Sequence, residues 1–284
     1  MLIPGIIAVL IYSYGPMFGL VMAFQQYNPV KGFLGSKWIG LDNFRYIFAM
    51  PGFVQALLNT LYISALKILF GLAVPLVLAL MINELVHKRF GKLLQSSMFF
   101  PYLLSWAVVA GIVLEIFSLN GPINSIVSAL GGTPTKFMLS NQWFPGVLVS
   151  TEVWKNMGAN LVIFGAAIIG VDPTLYEAAD VDGAGKLRQV FSITLPTIAP
   201  IVILISILSI GNLLNAGLEQ VLLLYNPIVY RSGDIIDTFV YRVGIFNQEY
   251  GPAAAIGLFK SVVTCLFVSI SYFVAYKTVN YRIF

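Results

Sequence analysis

Six apolar runs of roughly twenty residues or more divide this sequence, at about Leu2–Phe24, Phe53–Ile82, Met98–Phe117, Gly146–Gly170, Ile198–Leu224 and Ala253–Tyr276. About twenty helical residues cross the ~30 Å hydrocarbon layer of a bilayer. Lipid offers no partner to a backbone amide, so a spanning segment must be a helix or part of a closed barrel. Barrel strands are segments of about ten residues with alternating polarity, and these runs are continuous. The pattern predicts an all-α, polytopic membrane protein with six transmembrane helices. Composition agrees: of 284 residues 58% are hydrophobic and 10% charged, and mean hydropathy is +0.88. A soluble domain carries about 25% charged residues.

Several function classes fall away at once. The single Cys265 sits in an apolar run, so there is no disulfide framework. With one histidine there is neither a metal-ligand cluster nor a Ser-His-Asp arrangement, and no catalytic or metal site is expected. His87, Lys88 and Arg89 read as a solvated turn facing lipid headgroups. A net charge of +4 on such a chain reflects loop orientation rather than nucleic-acid binding. The first run has no basic start and no small-residue cleavage site, so it reads as a first span rather than a signal peptide. A basic leader ahead of Met1 is expected to be missing.

Six spans put both termini on one side. Segments 25–52, 118–145 and 225–252 then share the opposite side. Segments 83–97 and 171–197, the first set, with the tail from Lys277 hold Lys88, Arg89, Lys92, Lys186, Arg188, Lys277 and Arg282; the opposite segments hold Lys31, Lys37, Arg45, Lys136, Arg231 and Arg242. The shorter first set is denser in positive charge, which weakly favours it as cytoplasmic.

Between the fourth and fifth runs lies a polar segment with its own design. Asp172-Pro173 is a helix start, with Asp capping free amides and Pro fitting the first turn. Thr174 with Glu177 is an alternative capping box one turn on. Gly183 and Gly185 break that helix, Lys186 to Ile193 can form a second, and Leu195-Pro196 with Pro200 start the next span. On local physics this is either a rigid lever across the mouths of two spans or an ordinary capped connector. Gly183-Ala184-Gly185-Lys186 is not a phosphate loop: Asp180 stands where its first glycine belongs and Leu187 follows the lysine. The chain is not expected to bind ATP.

The segment's spacing, E-A-A-x3-G-x9-I-x-L-P from Glu177 to Pro196, resembles the cytoplasmic signature of membrane subunits of ATP-driven, binding-protein-dependent importers. Further segments are similar to the maltose-type permeases, in particular a branch associated with complex oligo- and polysaccharides including uronates such as alginate. They are Tyr14-Gly15-Pro16, Ala23 to Pro29, Gly32 to Phe44, Asn59-Thr60, Pro101-Tyr102, Gly121 to Asn124 and Trp154. The resemblance covers nearly the whole chain. It implies a type I ABC importer permease fold, one permease domain over 1–284, and a coupling segment over 172–196. Within that segment Glu177, Ala178, Ala179, Asp182, Gly183, Leu195 and Pro196 would meet the ATPase.

The implied partners are a second homologous permease, two cytoplasmic ATP-binding subunits, an extracytoplasmic sugar-binding protein, the carbohydrate and membrane lipid. ATP and Mg would reside in the ATPase subunits, with no cofactor in this chain. The implied place is the bacterial inner membrane, with both termini cytoplasmic. An importer of neutral oligosaccharide or glycerol phosphate is the alternative of the same class. An ion-coupled secondary transporter is the alternative of another class, although it leaves the signature unexplained.

Polar residues inside spans are costly and face cavities or partner helices. At helical spacing, Ser209, Asn212, Asn215 and Glu219 form one stripe, Glu152, Asn156 and Asn160 another beside Trp154 and Lys155, and Thr60, Ser64 and Lys67 a third. Lys260 and Thr264 align in the sixth run. Interhelical hydrogen bonding explains many such residues. A sugar pathway also needs amide and carboxylate edges and an aromatic face, and Asn212, Asn215, Glu219, Trp154, Asn156 and Lys67 are the candidates. A lysine at the membrane centre costs ~2.5–3.5 kcal/mol. Lys155 and Lys260 are placed to snorkel. Lys67 is deeper, and together the three lysines either draw an anionic sugar or pair with Glu115, Glu152 and Glu219.

Overall fold

The computed structural model describes residues 2–85 and 87–279; Met1 and Arg282 lie outside the described residues. Helix α1 (Ile3–Phe24) tightens past Gly15-Pro16, because Pro16 offers no amide to the ladder. A two-residue antiparallel pair follows, β1 (Gln25–Gln26) with β2 (Lys37–Trp38), and then α2 (Asp42–Ala49). Asn43 ties this corner down by donating to the carbonyls of Ala23 and Gln25, both at 2.9 Å.

The body of the bundle is α3 (Phe53–Asn83) against α7 (Phe144–Ile169). Between them in sequence, α4 (Lys88–Phe99) runs through one tight turn to Leu103 and is followed by α5 (Trp106–Ile116) and the short α6 (Pro122–Ala129). Beyond α7 come α8 (Pro173–Val181), α9 (Lys186–Ile210), α10 (Leu218–Leu224), α11 (Ile236–Tyr241) and α12 (Tyr250–Val279). By length and composition, four described helices cross a membrane uninterrupted, and six crossings result if each bent pair counts as one.

Two predicted spans are not straight helices. The third bends by 105° between Leu103 and Trp106, where Pro101 cannot continue the ladder and Ser105 caps the new helix by accepting from the Val108 amide. The fifth stops at Ile210, passes through residues 211–217, and restarts at Leu218 with Gly217 left-handed at φ +88°. At the other end of α9, no break separates Lys186 from the span. The predicted second short helix continues through a widened turn at Val190–Thr194, and Pro196 and Pro200 are absorbed into the helix.

Close backbone contact fixes α4 on α7. A Cβ at Gly158 would lie 2.5 Å from the Met98 carbonyl oxygen and from the Phe99 Cα, so only glycine admits this approach. One apolar cluster joins α3, α5, α7 and α10 around Ile63, Val109, Phe144, Leu148 and Val221. A second joins α1, α2, α3, α11 and α12 around Ile47, Phe53 and Ile256. A third packs α3, α7 and α9 around Phe164 and Ile198, near α8.

Candidate functional site

Helix α3 carries Asn59, Thr60, Ser64 and Lys67 on its buried face, and three of them reach other elements. Asn59 donates to the carbonyls of Arg231 (3.2 Å) and Asp234 (3.0 Å). Thr60 accepts from the Ile236 amide at 2.8 Å. One turn deeper the Ser64 hydroxyl is buried without a hydrogen-bond partner. Lys67 reaches the break in the fifth span. Its Nζ donates to the Ala216 carbonyl at 2.6 Å and to Gln220 Oε1, and lies 3.5 Å from Glu152 Oε2. Gln220 in turn donates to the Leu148 carbonyl (2.7 Å) and Thr151 Oγ1 (2.8 Å) on α7, while Asn156 donates to Glu152 Oε1 at 2.6 Å.

The deep lysine therefore pairs with Glu152, one of the three carboxylates open to it, and also satisfies a carbonyl freed by the helix break. Gly217 makes the approach possible, because a Cβ there would stand 3.3 Å from Lys67 Nζ. Gln220 and Thr151 belong to the hydrogen-bond network of Lys67, and helical spacing did not single them out. The only signal for Gln220 is an amide inside an apolar run.

The expected snorkelling of Lys155 is wrong. It is buried, its Nζ donates to the Tyr102 carbonyl at 3.3 Å, and it lies 5.7 and 5.5 Å from the ring centres of Tyr102 and Trp106. Those rings and the carbonyl end of the half-helix ending at Leu103 favour a cation there, and the 105° bend brings them to it. Lys260 does not snorkel either, since it pairs with Asp237 of α11. Two buried lysines, Lys67 and Lys155, thus sit at the two interrupted spans.

Four of the six proposed pathway residues meet in one place. Lys67, Asn156, Asn212 and Asn215 line a polar cavity of about 210 Å³, together with Ser64, Glu152, Asn160 and Ser209. Trp154 lies in an adjoining open groove of about 1100 Å³ along α3 and α7, which shares Val153 and Met157 with the cavity. The groove presents Tyr62, Phe70, Trp143 and Trp154, the amides of Gln55, Asn59, Asn141 and Gln142, and Arg231. Glu219 does not belong to this set. The break at 211–217 ends the helical stripe, leaving Glu219 exposed on α10 and outside the linings of both groove and cavity. Among the described residues no group of three or more His, Cys, Asp or Glu side chains could hold a metal ion.

At the far end of α7 the chain turns by 65° into α8. The cap is Asp172, whose Oδ1 accepts from the Thr174 amide at 3.0 Å; the alternative box of Thr174 with Glu177 does not form. That amide holds the Asp172 carboxyl below the usual carboxylate range. Gly183 turns the chain at φ +73°. Gln189, buried between the two helices, donates to Asp180 Oδ1 and to the Ala184 carbonyl, and Tyr176 bonds Thr194 at 2.8 Å. Glu177, Ala178, Asp182, Gly183 and Pro196 are exposed, with Ala179 and Leu195 half-buried. Val181, Leu187 and Phe191 also face outward, 89%, 76% and 68% exposed. The chain itself leaves this apolar surface on a polar segment uncovered.

Comparison with known proteins agrees with this architecture. Residues 71–280 match the family described as binding-protein-dependent transport system inner membrane component. The polygalacturonan/rhamnogalacturonan transport system permease protein YteP of Bacillus subtilis is 38% identical over 95% of this chain and 85% of its own length. The crystal structure of a bacterial ABC transporter involved in import of the acidic polysaccharide alginate contains a chain 37% identical to this one. It superposes with a TM-score of 0.90, covering 98% of this chain and 94% of the other. A second crystal structure, of a bacterial alginate ABC transporter in complex with a pentasaccharide-bound periplasmic protein, gives 0.87 at 38% identity, covering 95% and 91%.

Proposed function

The chain belongs to the family of inner membrane components of binding-protein-dependent transport systems, a permease subunit of a sugar importer rather than an enzyme, and from that premise we propose its finer role. It forms one side of the path by which an acidic, uronate-containing oligosaccharide crosses the membrane. The path runs along the open groove of α3 and α7 and past the polar cavity beside Lys67. The observation that carries this reading is the groove's chemistry: four aromatic rings for pyranose faces and the exposed amides of Gln55 and Gln142 for hydroxyls, in one continuous surface. The acidic cargo is supported by relatives whose own substrates are polygalacturonan, rhamnogalacturonan and alginate.

In this proposal a second, homologous permease closes the groove, and a periplasmic binding protein delivers the sugar. Two ATPase subunits, which hold ATP and Mg, grip residues 172–196. Glu177, Ala178, Ala179, Asp182 and Gly183 form the contact, with Leu195 and Pro196 passing the motion into α9. Because α8 continues from α7 through a 65° turn and is tied to α9 by Gln189 and Tyr176, a push on α8 moves α7, which lines the groove, and α9, which reaches the cavity.

The test is uptake by the assembled complex in proteoliposomes. Trp154→Ala should cut uptake by about tenfold, the worth of one stacking platform of 1–1.5 kcal/mol, with complex yield unchanged. Glu219→Gln should leave uptake intact. Normal uptake by Trp154→Ala would place the path elsewhere.

A further inference from the structure

Arg231 is the one charged side chain among the described residues lining the groove, and no carboxylate lines it. Among the described residues its guanidinium has no ion pair and no hydrogen bond, whereas Lys67, Arg242 and Lys260 are held by Glu152, Asp234 and Asp237. The backbone beneath it is fixed. Asn59 binds the carbonyls of Arg231 and Asp234, Asn141 binds the carbonyl of Ile228 at 2.9 Å, and Gly233 lies so close to Phe144 that a Cβ would stand 2.2 Å from its ring. A cation is thus mounted on a fixed backbone in the groove that Tyr62, Trp143 and Trp154 also line.

We infer that Arg231 reads the carboxylate of the passing sugar, an assignment that rests on the groove being the sugar path. A guanidinium meets a carboxylate through two parallel hydrogen bonds, while the neighbouring rings accept the pyranose faces, so the pair recognises a uronate residue and not a neutral hexose. No group in the groove competes for the charge, and its apolar walls strengthen the field. The role that the sequence offered to Lys67 passes to Arg231, because Lys67 is committed to Ala216, Gln220 and Glu152.

The experiment follows the groove directly. In the assembled complex, with the single Cys265 replaced by Ser, the exposed groove residue Gln142 becomes the reporter as Gln142→Cys, labelled by an uncharged maleimide. Galacturonate oligosaccharides should slow labelling, and the same oligosaccharides as methyl esters should do so much less. Arg231→Gln should weaken protection by the acid about tenfold, the worth of a charge-assisted hydrogen bond, without changing protection by the ester. Arg231→Lys should keep part of the preference. Equal protection by acid and ester, unaltered in Arg231→Gln, would overturn the role of Arg231 while leaving the groove as the sugar path. No protection by either sugar would overturn both. Loss of complex yield in Arg231→Gln would make the arginine an assembly contact instead.

Discussion

Lys67 is held by three groups from beyond its own helix, and its removal is informative for that reason. Lys67→Met keeps the bulk but leaves Glu152, the Ala216 carbonyl and Gln220 without their donor. We expect the complex to lose about 3 kcal/mol, the low end for a broken buried pair, because Glu152 keeps 24% of its side chain exposed. Thermal unfolding of the purified complex should show the loss whichever sugar is present, and Lys67→Met with Glu152→Gln should recover part of it. A loss confined to uptake of acidic sugar would return Lys67 to the role of cargo contact. Gly217→Ala tests the same junction from its backbone. Its φ of +88° and the 3.3 Å approach to Lys67 Nζ both oppose a side chain, so the variant should cost ~1–2 kcal/mol and lower the yield of assembled complex.

At the scale of the element, α8 is stiffened at both ends, by Asp172 at its start and by the left-handed Gly183 after its finish. Gly183→Val forces a branched side chain into that left-handed turn, tilting the helix without touching any span. Membrane insertion and complex yield should therefore stay normal while substrate-stimulated ATP hydrolysis falls. Stimulation at the normal level would remove α8 from the coupling role. The cap carries a pH signature of known sign. With its carboxyl held below the ordinary value, Asp172 contributes its stabilisation above the unfolded pKa and loses it as pH falls through the lower folded one. Coupling measured from pH 6 to pH 8 should accordingly be flat with respect to this group, and Asp172→Asn should preserve it.

Across the whole molecule, most of the apolar surface faces outward: only 6% of the span window in α1 and 17% of that in α3 are buried within the chain. Lipid and a second permease are the partners such a surface requires. The orientation proposed from the coupling segment is checked by two exposed loop positions, Leu130 and Leu187, 83% and 76% accessible. After Cys265 is replaced, Leu130→Cys should react with an impermeant thiol reagent from outside intact cells and Leu187→Cys only after lysis. The reverse pattern would put α8 on the wrong face for an ATPase.

The sequence alone determined the membrane class, the number of apolar runs and the capped polar segment between the fourth and fifth of them, because hydropathy, caps and glycine turns are local properties written in consecutive residues. Only the tertiary structure decided that the third and fifth runs are interrupted. Residues 211–217 stay apolar enough on average for a window of twenty to pass over them, so the Asn212, Asn215 and Glu219 stripe looked continuous and was not. It likewise decided that Lys67 serves a carbonyl 149 positions away, that Lys155 is enclosed by Tyr102 and Trp106, and that Arg231 faces a groove built from α3 and α7. Helical spacing tells which side of its own helix a residue occupies. What waits on that side depends on how the helices cross, which backbone contacts such as Gly158 on Met98 set across the bundle.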